Sequence, residues 1–322
     1  MPRGNPLWGR FERYAKKTFG EAANKYLQEF DGKDKRRQAY AIEALVPYIG
    51  RLPLIDVDSE ALEGFKQDRR EGRGHFKRPA MAGTINKELT TVTTILNRAC
   101  RDWRWIPSVP RIRHVKGARR VAYPLTWDEQ KELFHRLPDN WELGAACFAV
   151  NTGVRKGELF SLKWSDMQEI PSLDTYVFIL SDTKNGQDRA VICNSIAKRA
   201  VSYQYERQKE VPSRFVFPSD CPRNLGGRVT STNKMWRRAW ELAGLPSDPL
   251  IRKGIHNLRH TFAHRLRAAG VPEEDRNALM GHSNVNLSQH YALPDIERLE
   301  AYAERVTETK DTVVLRSVRS AV

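Results

Sequence analysis

The chain has 322 residues, with 54 Lys/Arg against 39 Asp/Glu and a formal net charge of +15; that length suits one large domain or two of ordinary size, and the basic excess points to a polyanionic partner. Cys100, Cys147, Cys193 and Cys221 lie far apart with no CxxC pair, which argues against a zinc site and a disulfide framework. No apolar run approaches the roughly 18 residues of a membrane span, and MPRGNPLWGRFERY lacks the apolar core of a signal peptide, so a cytoplasmic, chromosome-associated protein is expected.

The charge is lopsided. Residues 1–124 hold 26 Lys/Arg against 14 Asp/Glu, and residues 125–322 hold 28 against 25, which makes the N-terminal part the expected electrostatic clamp. After a basic tail (1–17) with Arg3, Arg10, Arg13, Lys16 and Lys17, apolar residues recur at helical spacing. Phe19, Ala22, Ala23, Tyr26, Leu27 and Phe30 mark one helix, and Ala41, Ala44, Leu45 and Tyr48 a second. Leu62 and Phe65 mark a short third helix after an Asp58-Ser59 cap; Ile85, Leu89, Val92, Leu96 and Ala99 mark a fourth that starts at Thr84. These four helices predict a compact bundle over 18–106. Its basic loop REGRGHFKRPAMAG, with Arg73, Lys77 and Arg78, reads either as a solvated loop or as a DNA contact.

The stretch PSVPRIRHVKGARRVAYP (107–124) carries three prolines and five Lys/Arg and reads as an extended linker. Arg111, Arg113, Lys116, Arg119 and Arg120 are suited to lying along phosphates; a solvated tether is the plainer alternative. Beyond it the pattern is mixed. Thr126 and Glu129 form a capping box, and helices are expected over 141–150 and 156–164. TYVFILSDTKNGQDRAVIC reads as a hairpin turning at Asn185-Gly186. Further helices are expected near 194–209, 230–243, 257–269 and 272–280, with Pro294 breaking the chain after Tyr291. The fold class is therefore mainly α with a small β-sheet, α+β, ending in a catalytic region over 125–310 and a tail over 311–322.

Six residues of that second part can carry phosphodiester chemistry. Arg155 sits where a turn feeds a helix, either as a solvated charge or as a bidentate grip on two phosphate oxygens. His256 and Arg259 in HNLRH lie about 60° apart around a helix, bordering the stripe of Leu258, Phe262 and Leu266. Lys184 precedes the hairpin turn, as a solubilising charge or a proton donor. His282 follows Met280-Gly281 and can cap that helix. Tyr291 is either a core aromatic beside Leu287 and Leu293 or a nucleophile.

Taken together, TGVRKGELFSLKWSD, DTKNGQDR, HNLRHTFAHRLRAAGV and LMGHSNVNLSQHYA resemble the boxes of the tyrosine recombinases, or phage integrases, including the nine-residue step from His282 to Tyr291. The resemblance covers 125–305, and the preceding bundle is similar to the family's core-binding (SAM-like) domain. It implies a site-specific recombinase whose Tyr291 attacks DNA to form a 3′-phosphotyrosyl bond. Arg155 and Arg259 would hold the phosphate with help from His256 and His282, and Lys184 would protonate the leaving 5′-oxygen. Glu158 would position Arg155. Neither a cofactor nor a metal is implied, and the sequence has no P-loop or acidic cluster spaced for magnesium.

The expected role is integration or excision of a phage or other mobile element on double-stranded DNA. A Xer-like chromosome-dimer resolvase, a type IB topoisomerase and a non-catalytic DNA-binding regulator of the same fold are the alternatives. Only about 17 residues precede the first helix, too few for the arm-binding domain of larger phage integrases. Ile296, Leu299, Ala303 and Val306 stripe a helix after Pro294, and TVVLRSV forms an expected terminal strand. The family passes such a segment between subunits, so exchange, a tetramer on two DNA sites and accessory DNA-bending proteins are expected.

Overall fold

The computed structural model describes residues 17–118, 120–138, 140–180, 189–281 and 293–307, and the chain divides between residues 119 and 120 into two units. The first 16 residues, Arg119, the Asn185-Gly186 turn and TVVLRSV lie outside the described residues.

The first unit is built on four helices, α1 (Phe19–Gln28), α2 (Lys35–Ile49), α3 (Glu63–Glu71) and α4 (Ala82–Arg101). Thr18 and Glu21 form a capping box that starts α1, and the Asp34 side chain accepts from the Arg37 amide at the start of α2. Phe19, Leu45, Ile49, Phe65, Leu89 and Leu96 are fully buried in a shared core. Asp58 caps a turn before α3 rather than the helix itself: its Oδ1 accepts from the amides of Glu60 and Ala61, and the helix begins at Glu63. The fourth helix starts at Ala82, two residues ahead of the expected Thr84.

The basic loop is anchored at its middle. Phe76 stacks on Tyr48 and meets Phe65 edge-on, while the Arg69 guanidinium covers its ring at 4.6 Å. Arg73, Lys77 and Arg78 remain exposed around that anchor.

Residues 107–118 are extended, yet they are fastened to this unit. Ser59 Oγ donates to the Arg111 carbonyl at 2.7 Å and accepts from the Arg113 amide at 2.8 Å. Asn86 brackets both backbone groups of Val115, and Val115 is buried. Arg111, Arg113 and Lys116 project outward from this strap, and Arg120, at the start of the second unit, is likewise exposed.

The second unit surrounds α6 (Trp141–Thr152), which follows α5 (Trp127–His135). Small residues Gly144, Ala145, Ala146 and Ala149 let α6 pack closely against α8 (Ser195–Arg207) on one side and α10 (Ile255–Ala268) on another. Asn257 of α10 accepts from the Tyr123 amide at 2.8 Å and donates to its carbonyl, and Thr261 Oγ1 accepts from the Leu125 amide. These bonds hold the incoming chain to α10.

Three antiparallel strands, β1 (Met167–Ile170), β2 (Thr175–Leu180) and β3 (Arg189–Ile192), pair in the order β1-β2-β3, with Leu180 opposite Arg189. Alternation places Phe178, Leu180 and Val191 in the core around α6, and Val177, Ala190 and Ile192 in a second core on the other face. That second core is closed by α11 (Glu273–Met280) and α12 (Leu293–Glu304). The shorter α7 (Lys156–Leu159) and α9 (Asn233–Leu242) complete the unit.

Three expectations are corrected. The helix expected over 156–164 is helical only as α7, because residues beyond it pair with another segment: the Trp164 amide donates to Arg214 and the Val216 amide to Leu162. Strand β1 was not foreseen; its four residues MQEI are only partly covered and carry no apolar alternation. The helix after residue 291 begins at Leu293, so Pro294 occupies its first turn instead of preceding it, a position where the missing N–H costs nothing.

The apolar stripe of α12 is covered by its own chain. Leu299, Ala303 and Val306 are buried with Phe262, Leu266 and Leu279. Arg298 pairs with Asp275 at 3.2 Å, and Asn194 donates to the Ala303 carbonyl at 3.0 Å. The stripe is therefore no basis for expecting exchange of this helix between subunits.

Candidate active site

Three guanidiniums meet at the C-terminal end of α11. The last carbonyls of a helix have no partner within it, and they carry the negative end of its dipole. Gly281, left-handed at φ 60°, ends α11. Arg259 donates from Nη2 to the Met280 carbonyl at 2.6 Å and from Nη1 to the Gly153 carbonyl at 2.5 Å. Arg155 donates from Nη2 to the Gly281 carbonyl at 2.6 Å. Arg189 donates to Met280 at 3.0 Å and to Leu279 at 3.2 Å.

Local sequence explains each placement. Gly153 is left-handed at φ 62°, and a Cβ there would lie 2.5 Å from Phe262 and 2.9 Å from the Met280 sulfur. Only glycine lets α6 end so close to α11, and the resulting turn delivers Arg155 to the start of α7. Arg259 lies in the second turn of α10, one residue from the buried Leu258.

Glu158 is the carboxylate among these cations. Its Oε1 accepts from Arg155 Nη1 at 2.8 Å. Its Oε2 accepts from the Arg155 amide and from Arg189 Nη1, both at 3.0 Å. Burial pushes this carboxyl up, but Arg189 and then Arg155 outweigh it and hold it below the usual carboxylate range. Arg259 is only 4 % exposed; burial, then the Arg189 and Arg155 charges, bring it down to about 9, so it stays charged at neutral pH. Three guanidiniums against one carboxylate leave the pocket net cationic. Arg155, with its side chain 34 % exposed, faces solvent most.

His256 lies in the first turn of α10 and is exposed. Partial burial of its ring, then the Arg252, Arg259 and Arg155 charges, lower its pKa below the usual imidazole value, which favours the neutral form. His260, one turn on, meets it edge-on with centroids 4.9 Å apart. Burial and its cationic neighbours push His260 down to about 4.

Of the residues expected from sequence, the structure brings Arg155, Glu158 and Arg259 together, with His256 on the same helix as Arg259. Lys184, His282 and Tyr291 lie outside the described residues, although β3 starts five residues after Lys184 and Gly281 directly precedes His282. Arg189 was missed. Its place emerges only from the fold: it opens β3, whose four residues RAVI are all buried, and a buried arginine requires partners.

The comparisons with known proteins agree with this architecture. The helical fold with its small sheet is that of an integrase: a lambda integrase tetramer bound to a Holliday junction superposes with a TM-score of 0.64 at 18% identity, covering 98% of this chain and 85% of that one. The tyrosine recombinase XerA of Thermococcus kodakarensis is 27% identical over 229 residues, spanning 69% of this chain and 76% of its own. The integrase of Salmonella phage P22 is 24% identical over 245 residues, 74% of this chain and 60% of its own length. A family model for the phage integrase family matches residues 114–298. The chain belongs to the phage integrase family and is a tyrosine recombinase.

Proposed function

We propose that this recombinase cuts and rejoins double-stranded DNA at specific sites through a 3′-phosphotyrosyl intermediate, integrating or excising a mobile element. The observation that carries the reading is the anchoring of Arg155 and Arg259 on consecutive carbonyls, those of Gly281 and Met280. Two guanidiniums so fixed are preorganised for the equatorial oxygens of a pentavalent phosphorus, where such donors act most strongly.

In this reading the Tyr291 oxygen attacks phosphorus and the bond to the 5′-oxygen breaks. A phenol with a pKa of about 10 needs a base, and neutral His256 takes its proton. Lys184 gives a proton to the leaving 5′-oxygen, and His282 adds a hydrogen bond to the phosphate. The new ester conserves the free energy of the old one, so a 5′-hydroxyl from a partner duplex reverses the step and completes an exchange. Four copies on two duplexes would perform both exchanges, and the reaction belongs on the chromosome, in the cytoplasm of a cell without a nucleus. The exposed Arg73, Lys77, Arg78, Arg111, Arg113, Lys116 and Arg120 are the proposed backbone contacts, with Arg119.

The test uses two differently labelled duplexes carrying the DNA that flanks the gene. The wild-type protein yields exchanged strands, whereas Arg155→Ala and Arg259→Ala each slow covalent adduct formation by about 10²–10³-fold. Relaxation of supercoils without exchange would make the protein a topoisomerase, and binding without adduct a regulator. The likeness to XerA supports one second reading, chromosome-dimer resolution. It predicts exchange between two identical chromosomal sites and none at the flanking DNA.

A further inference from the structure

Arg189 has no place in the chemistry just described, yet it is the hub of the site's hydrogen bonds. It is 7 % exposed, and its Nη1 and Nη2 donate to protein acceptors, Glu158, Met280 and Leu279. A third guanidinium, buried beside Arg155 and Arg259, adds repulsion and desolvation, so its position requires compensation. Its partners supply it: Glu158 Oε2 and the carbonyls of Leu279 and Met280. Each of these also touches, or adjoins a group that touches, an arginine of the phosphate site. Glu158 holds Arg155, and Met280 holds Arg259.

The fit of Arg189 to the turn is close. A Cβ on Gly281 would lie 2.5 Å from Arg189 Cδ and 2.6 Å from its Nη1. Glycine at 281 thus serves two needs, the left-handed turn and the passage of the Arg189 side chain. Since β3 begins with Arg189 and His282 follows Gly281, one side chain joins the sheet to the turn that aims both phosphate arginines.

We infer that Arg189 is a positioning residue for phosphodiester cleavage, fixing the 279–281 carbonyls and Glu158 so that Arg155 and Arg259 converge on one phosphate. This rests on the proposed phosphate-gripping role of those two arginines. Arg189→Met removes the guanidinium at similar length. Displacing two catalytic donors by a fraction of an ångström to about one slows a reaction on the order of 10²-fold.

Adduct formation is measured in single turnover with two nicked substrates, one with an ordinary scissile phosphate and one with a methylphosphonate that lacks one charged non-bridging oxygen. On phosphate, R189M is expected to slow adduct formation about 10²-fold with DNA affinity unchanged, and Arg189→Lys less. On methylphosphonate, which depends less on guanidinium aim, the R189M loss shrinks to a few-fold. Effects that share one cause fail to multiply.

An equal loss on both substrates, or no loss on phosphate, overturns the inference, because a merely structural arginine cannot distinguish them. Should R189M lose its melting transition, R189K carries the same comparison. A wrong reading of the phosphate site shows itself separately: R155A and R259A would then leave the phosphate rate untouched.

Discussion

Glu142 carries a buried carboxyl whose energetic sign can be worked out. It is 3 % exposed in the first turn of α6, where its amide donates to Asn140 Oδ1. Burial, with a smaller push from Asp220, raises its pKa to about 7. The folded value exceeds the unfolded one, so the protonated form stabilises the fold at low pH. That contribution is lost as pH rises from about 4.5 through 7. Glu142→Gln keeps the shape without the charge. It should raise stability by about 2 kcal/mol above pH 7, or ~4–8 °C in Tm, and by almost nothing near pH 4.5. Melting curves at both pH values check this, and an equal shift at the two would contradict it.

At this scale the motifs made Arg155, Glu158, His256 and Arg259 legible. Each sits in a short signature whose residue types match phosphate chemistry. Arg189 was hidden because its partners are backbone carbonyls about 90 residues away, and no spacing along the chain encodes such a contact. His260 lies in the HNLRH box, but its edge-on contact with His256 arises only once α10 is wound.

Among elements, α12 is the most informative. Leu299 is 2 % exposed within a core shared with α10, α11 and the sheet. Leu299→Ala should cost about 2–4 kcal/mol in urea denaturation of the DNA-free protein and expose the C-terminal segment to protease. Unchanged stability would mean that α12 leaves its own chain in solution.

Amphipathic helices were legible because a buried stripe recurs every three or four residues, as in α1, α4 and α10. The same rule failed at 160–164, where backbone pairing with 214–216 outcompetes a helix. It also failed at β1, a short edge strand whose stability comes from its neighbour. The fastening of 107–118 by Ser59 and Asn86 was illegible for a related reason: prolines and charges announce extended chain, not what it lies against.

For the molecule as a whole, charge and chemistry are divided. The N-terminal 124 residues carry most of the excess, 26 Lys/Arg against 14 Asp/Glu, while the cationic pocket lies in the second unit. Affinity should therefore be set largely by residues of the first unit, which does not carry the catalytic pocket. Replacing Arg111, Arg113 and Lys116 together with Ala should reduce the slope of log K against log salt by about 2–3, near 0.9 per lost phosphate contact. The cleavage rate of bound DNA should be unaffected. Filter binding across a salt series measures the slope, and an unaltered value would remove these residues from the interface.

The central claim is that the second unit presents DNA phosphorus to a phenolic oxygen. Its most direct measurement is the covalent bond itself: trap the protein on a nicked duplex, digest the adduct with protease, and locate the nucleotide by mass spectrometry. A single peptide in which Tyr291 is esterified to a 3′-phosphate is expected, absent from Tyr291→Phe. A nucleotide on any other residue, a 5′-phosphate linkage, or an adduct that survives Y291F would contradict it.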